Sequence, residues 1–236
     1  MISKSIFLKG LKELFSFNNV VSISGGSGSG KTNLTLHLIG DLLTYGSFSD
    51  SCIWIQASEL FPSGRLKQIF EIYPDKLKYI QENIFVLPKD HNISDYLEQE
   101  NVLAQLIAPN TVLPPDLRYI VIDNISHQLR FEVSNSPNVS KVVSCLDSFY
   151  TKQLYPLIVF CIRNNFILFL LHEVTYDPLL TQTRTFFYKL YDKLGTIDII
   201  LHNNKFNTKR KEMEILFNHS KKTFQYTIEQ RGIRLL

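Results

Sequence analysis

Short runs of β-branched and apolar residues alternate along this chain with longer stretches where apolar residues recur every three or four positions. Val20-Val21-Ser22-Ile23-Ser24 is the first short run, and it ends in glycines. Beyond the glycines Leu34, Leu38 and Leu42 recur at i+4 beside Leu36, Ile39 and Leu43, a spacing that predicts a helix. Cys52-Ile53-Trp54-Ile55 and Ile84-Phe85-Val86-Leu87 predict strands, and Ile93–Ile107 reads as a helix. Pro114-Pro115 closes the connection into a fully apolar strand, Tyr119-Ile120-Val121-Ile122. Val139–Ile162 is helical in pattern. Strands are expected at Phe166–Leu171, Ile197–Leu201, Glu212–Asn218 and Thr223–Ile228. Strands thus alternate with helices until the last segments, where strand follows strand. The order predicts an α/β fold: a mainly parallel twisted sheet flanked by helices, with an antiparallel C-terminal extension. Trp54 is expected in the core, and His37 is expected to pack or face solvent on its helix.

The 236 residues and 44% apolar content suffice for one large core, so residues 1–236 are read as a single domain. A formal charge of +3 is a mild bias, compatible with a polyanion partner without arguing for one. Cys52, Cys145 and Cys161 have no tight spacing, which argues against a disulfide framework or a zinc site and for a reducing compartment. The greasiest region, Tyr155–Leu171, is split by Arg163-Asn164-Asn165 into pieces too short to cross a bilayer. The first nine residues hold no uninterrupted apolar stretch of signal-peptide length. The expectation is a soluble intracellular protein, cytoplasmic or nucleoid-associated, with no membrane partner.

The chemistry begins at Gly25-Gly26-Ser27-Gly28-Ser29-Gly30-Lys31-Thr32, which fits G-x-x-x-x-G-K-[ST] at every defined position. At average glycine and lysine usage this pattern arises by chance in about one chain in a hundred, and here a strand precedes it and a helix follows. Glycines let the backbone turn with positive φ, so successive N–H groups converge on one anion. The helix opening at Lys31 adds its positive end. Lys31 is expected to reach the β- and γ-phosphates of ATP, and the Thr32 hydroxyl to ligate Mg2+. Asp123, leaving the apolar run at 119–122, is the candidate for holding the same magnesium, directly or through water.

From these residues onward the chain resembles the RecA/RadA recombinase superfamily. Asp123-Asn124-Ile125-Ser126-His127-Gln128-Leu129-Arg130-Phe131-Glu132 looks like the family's segment after its magnesium-holding aspartate, where an Arg-x-Glu closes the motif. Ile55–Leu66 is similar to the family's second-strand motif, with Phe61, Arg65 and Leu66 in place. Leu170-Leu171-His172-Glu173-Val174 sits where the family has a strand ending in Asn-Gln-Val. Tyr226–Ile233 resembles the final strand and turn. The long separation of Lys31 from Asp123 suits a RecA-like P-loop ATPase core better than a small GTPase. With few residues ahead of the P-loop strand, the chain looks like a core-only paralogue, closest in kind to the archaeal RadB group. The resemblance implies a role in homologous recombination and DNA repair, as a mediator or regulator of a full-length recombinase or another paralogue.

Three departures shape the expected activity. Ser58 occupies the position of the family's water-activating glutamate, with Glu59 next door, and a bulge would be needed to bring Glu59 in. Glu173 replaces the γ-phosphate-sensing glutamine. A carboxylate there repels the phosphate unless a cation intervenes, and its use as the general base is the minor alternative. Hydrolysis is therefore expected to be weak, with Ser58, Glu59 and Glu173 as the candidate catalytic positions. The segment Thr175–Gly195 lacks the family's paired glycines and is aromatic instead: Tyr176, Phe186, Phe187, Tyr188 and Tyr191, interleaved with Arg184, Lys189 and Lys193. One reading is weak binding of single-stranded DNA by stacking and phosphate contact. The other, favoured by the Phe187–Tyr191 spacing, is an amphipathic helix packed on the sheet. A second basic cluster, Lys205, Lys209, Arg210, Lys211, Lys221 and Lys222, is read chiefly as solvated hairpin tips. Two other functional classes stay open: a KaiC-like regulatory ATPase and a scaffold subunit that holds ATP without touching DNA.

Overall fold

The computed structural model describes residues 4–15, 18–45, 48–177, 182–191, 194–203, 209–218 and 220–236. The elements follow in the order α1 (Lys4–Phe15), β1 (Val20–Gly25), α2 (Lys31–Leu43), β2 (Ser51–Gln56), α3 (Ser63–Phe70), α4 (Pro74–Asn83), β3 (Ile84–Leu87), α5 (Tyr96–Leu106), β4 (Leu117–Asp123), α6 (His127–Ser134) and α7 (Val139–Ser148). A π turn (Phe149–Leu154) joins α7 to α8 (Tyr155–Arg163). Then come β5 (Ile167–His172), β6 (Val174–Asp177), β7 (Gln182–Thr185), a 3-10 turn (Tyr188–Leu190), β8 (Ile197–Asn203), β9 (Lys211–Phe217), β10 (Ser220–Glu229) and β11 (Gly232–Leu235).

One nine-stranded sheet has the order β11-β10-β9-β8-β1-β5-β4-β2-β3. From β8 to β3 every neighbouring pair is parallel, whereas β8 to β11 is an antiparallel meander. Parallel strands are covered on both faces, so their sequences are largely apolar, and alternate residues feed two separate cores. Val21, Ile23, Trp54, Val121 and Phe169 face a core closed by α1 to α4. Ile53, Ile55, Ile120, Ile122 and Leu170 face a second core closed by the helices from α5 to α8. In the first of these cores Trp54 is buried with its ring edge-on to Phe61. Helix α2 lies so close to its neighbours that a Cβ at Gly40 would come within 2.3 Å of the Phe70 ring.

The expected strands and the helices at 31–43, 93–107 and 139–162 are present within a few residues. Helices α1, α3, α4 and α6 go beyond the sequence reading. The aromatic segment is a correction. It is not an amphipathic helix: Val174–Asp177 pairs antiparallel with Gln182–Thr185, and a 3-10 turn follows. Its rings reach the core from that irregular backbone, Tyr191 fully and Phe187 in part. The basic cluster is corrected too, since Lys211 opens β9 and Lys221 and Lys222 lie within β10 rather than in turns. Lys193 and Lys205 lie outside the described residues. No helix among the described residues is long and apolar enough to cross a membrane.

Candidate functional site

Four parallel strands end at one cleft, and each delivers part of the site. The P-loop follows β1, Ser58 and Glu59 follow β2, Asp123 ends β4, and Glu173 follows β5. This is the crevice at the carboxyl ends of the strands, where open α/β sheets place their ligands. The cleft has a volume of about 520 Å³, and Asn124, His127 and Arg130 complete its wall.

The P-loop leaves β1 and turns at Gly28 (φ +69°) and Gly30 (φ +97°), conformations that only glycine adopts freely. Gly30 caps α2 with no side-chain hydrogen bond, so the first-turn N–H groups of α2 are available to an anion. In front of the loop the space is open, since a Cβ at Gly28 would meet nothing within 4 Å. Behind it the space is closed: a Cβ at Gly30 would lie 2.7 Å from Ile228, and Tyr226 Oη donates to the Ser29 carbonyl at 2.7 Å. Arg65 holds the same wall from the side, donating to Asn33 Oδ1 and to the carbonyls of Gln230 (2.8 Å) and Glu229 (2.6 Å).

Lys31 Nζ donates to the carbonyls of Gly25 (2.8 Å) and Gly26 (3.3 Å). Burial lowers its pKa, opposed by the nearby charges of Asp123, Glu173 and Glu59. Thr32 Oγ1 donates to Asp123 Oδ2 at 2.8 Å. Burial pushes the Asp123 carboxyl up to about 6, against the pull of Thr32 and Lys31 and with a further push from Glu59. A hydroxyl and a carboxylate side by side at the mouth of a glycine cradle are the donor set of a magnesium phosphate, so the residues fit that group.

The positions expected to differ from the family are resolved as follows. Strand β2 ends at Gln56, so Ser58 and Glu59 lie beyond it and strand alternation does not separate them. Both line the cleft. The Ser58 N–H and hydroxyl both donate to the Asp123 carbonyl, at 3.0 and 3.4 Å. Glu59 is exposed at the rim, near enough for Lys31 and Asp123 to feel its charge. Glu173 is clamped: Asn124 Nδ2 lies 3.4 Å and His127 Nδ1 3.2 Å from its Oε1, and Arg130 donates to its Oε2. Burial raises its pKa, but the hydrogen bonds from Arg130, His127 and Asn124 outweigh that and hold it below the usual carboxylate range. A carboxylate held in this way is a weaker proton acceptor than a free one.

Sequence reasoning passed over His127, Asn124 and His172. His172 ends β5, fully buried, with its ring edge-on to Tyr191 at 4.5 Å and, among the described residues, no hydrogen-bond partner on either nitrogen. Burial, aided by the Lys31 charge, pushes its pKa down to about 3. Arg184 lies over the Tyr188 ring (4.4 Å), and Arg130 at the cleft wall lies over the Phe186 ring (5.9 Å), so basic groups and aromatics do interleave on the hairpin side. No group of His, Cys, Asp and Glu among the described residues has the arrangement of an all-protein metal site.

The sheet order and the cleft define a RecA-like α/β core of the P-loop kind. The crystal structure of the RadB recombinase shares this fold, with a TM-score of 0.69 and 17% identity over 91% of this chain and 89% of that one. DNA repair protein RAD57 of Saccharomyces cerevisiae is 26% identical over 147 residues, covering 57% of this chain. The match spans 28% of that protein's length. No family model matches the chain. In fold, then, the chain is similar to the RadB recombinase, and over part of its sequence to RAD57.

Proposed function

We propose that this chain is an ATP-binding recombinase paralogue of homologous recombination and DNA repair. In this reading it mediates or regulates a full-length recombinase and hydrolyses ATP weakly. The observation that carries the nucleotide reading is the convergence of Lys31, Thr32 and Asp123 on an open glycine cradle. The likeness to RadB and to RAD57 supports the recombination assignment.

Residues 25–32 would hold the phosphates, with the N–H groups at the head of α2 and the Lys31 ammonium as donors. Thr32 and Asp123 would hold magnesium, which when bound screens the phosphate charge. The local geometry supports the reading of weak hydrolysis. The Ser58 hydroxyl is turned to a main-chain carbonyl, Glu173 is clamped, and Glu59 is exposed at the rim. Single-stranded DNA would meet the hairpin side, through Arg184, Lys189 and Phe187, together with Lys211, Lys221 and Lys222. A scaffold subunit that holds nucleotide without binding DNA is the second reading, favoured by the clamped Glu173.

Calorimetric titration with magnesium ATP is the test of the nucleotide reading. Lys31→Ala removes the cation facing the β/γ-phosphates and should lower affinity at least tenfold, about 1.4 kcal/mol. Equal affinity in wild type and variant would remove the assignment of the cradle.

A further inference from the structure

Besides Asp123 and the exposed Glu59, the cleft carries a third carboxylate, Glu173, which is clamped in place. Strand β5 lies beside β1 with His172 opposite Ser24, so Glu173 emerges next to the start of the P-loop. Lys31 feels its carboxylate, and Lys31 is the group that meets β- and γ-phosphates in such loops. Glu173 cannot easily withdraw. Its side chain is tied to Asn124, His127 and Arg130. Its N–H donates to Ser126 Oγ at 2.9 Å, and its carbonyl accepts from the Phe186 N–H at 2.9 Å. Within the Arg130 pair the acid is the inner member: the side chain of Glu173 is 23% exposed and that of Arg130 54%.

We propose that Glu173 makes this cleft a diphosphate-selective site, which takes magnesium ADP in preference to magnesium ATP. The inference deepens the nucleotide reading above and rests on it. A diphosphate ends at the Lys31 ammonium and leaves the Glu173–Arg130 pair intact. A triphosphate brings further anionic oxygens up to a carboxylate held in a partly buried place, where like charges repel more strongly than in water. Admitting it requires the carboxylate to swing away, breaking its ties to Asn124, His127 and Arg130. ATP still binds, less tightly. Neutral glutamine in the same place removes the repulsion and offers N–H donors instead.

The experiment titrates the protein with magnesium ADP, magnesium ATP and a non-hydrolysable ATP analogue, and reads the ratio of dissociation constants. Wild type should bind ADP at least tenfold more tightly than ATP. Glu173→Gln should reduce that preference at least tenfold, chiefly through tighter ATP. Arg130→Gln leaves the acid unscreened and should widen the preference, and the double variant should return to the ratio of Glu173→Gln. Thermal melts check that each variant is folded, and the opposite directions of the two single changes guard against general damage. Wild-type affinity for ATP equal to or above that for ADP overturns the proposal, as does a ratio that Glu173→Gln changes less than tenfold. Binding of neither nucleotide by wild type overturns the nucleotide reading itself.

Discussion

His172 offers a pH test of the core that supports the cleft. Its ring is fully buried, unpartnered at both nitrogens among the described residues, and held neutral with a pKa pushed down to about 3. An unfolded chain protonates histidine near 6.5. As pH falls the unfolded state takes up this proton first, so the stability that the neutral ring supports is complete above 6.5 and is lost as pH falls toward 3. At pH 5 the loss is 1.5 pH units at 1.36 kcal/mol each, about 2 kcal/mol. Asp123 acts in the opposite sense. Its raised pKa gives stability that is present below about 4 and lost as pH rises through about 6. The perturbation must therefore isolate the histidine, and His172→Phe does so, keeping an aromatic ring against Tyr191 while leaving Asp123 untouched. Urea denaturation of both proteins at pH 7.5 and pH 5.0 gives four free energies. Wild type should lose about 2 kcal/mol more than the variant between the two pH values. Parallel losses in the two proteins would refute the reasoning, because they would mean that the ring is protonated in the fold or reaches solvent.

The remaining predictions concern the cleft, its rear wall and the hairpin side. Ser58→Glu should raise ATP turnover measured by phosphate release; brisk wild-type turnover abolished by Glu59→Gln would instead make Glu59 the base. Tyr226→Phe strands the buried Ser29 carbonyl and should cost about 1–2 kcal/mol in chemical denaturation, with weaker nucleotide binding alongside. Binding of labelled single-stranded DNA, followed by fluorescence anisotropy across a salt series, should show a slope of about −2 to −4 in log affinity against log salt. Arg184→Ala with Lys189→Ala should flatten that slope, while Phe187→Ala should weaken binding without changing it, because stacking is not screened by salt.

The sheet was readable in the sequence because buried parallel strands leave unbroken apolar runs, and Asp123 was readable because an acid ends one of them. The P-loop motif was legible from its spacing together with the strand before it and the helix after it. Helices α3 and α4 were not readable: both are short and largely polar, and α4 buries only Ile80. The hairpin was misread because Phe187, Tyr188 and Tyr191 happen to fall at helical intervals, whereas the partner of Tyr191 is His172 on a different strand. The offset between Ser58 and Glu59 was argued from strand alternation, which ceases to apply once β2 ends at Gln56. The clamp on Glu173 joins residues from the end of β4 and from α6, more than forty positions earlier in the chain. Arg130 was noticed as a motif residue, but nothing in a linear pattern says that its partner is Glu173 rather than Glu132.

The last strands have a second consequence. Ile228 and Ile233 fill the space behind Gly30, the Tyr226 hydroxyl supports Ser29, and Arg65 grips the turn between β10 and β11. These contacts predict that the cradle opens when these strands open, as one cooperative unit with a common local unfolding free energy. A ligand that binds only the closed cradle deepens that well by mass action, by about 2.7 kcal/mol at a hundredfold excess over its dissociation constant. The exchange rate of amide protons at the far edge of the sheet thus becomes a gauge of occupancy at the opposite end of the same unit. By reciprocity, anything that grips β10 and β11 in their folded arrangement raises affinity in the cradle by the same factor.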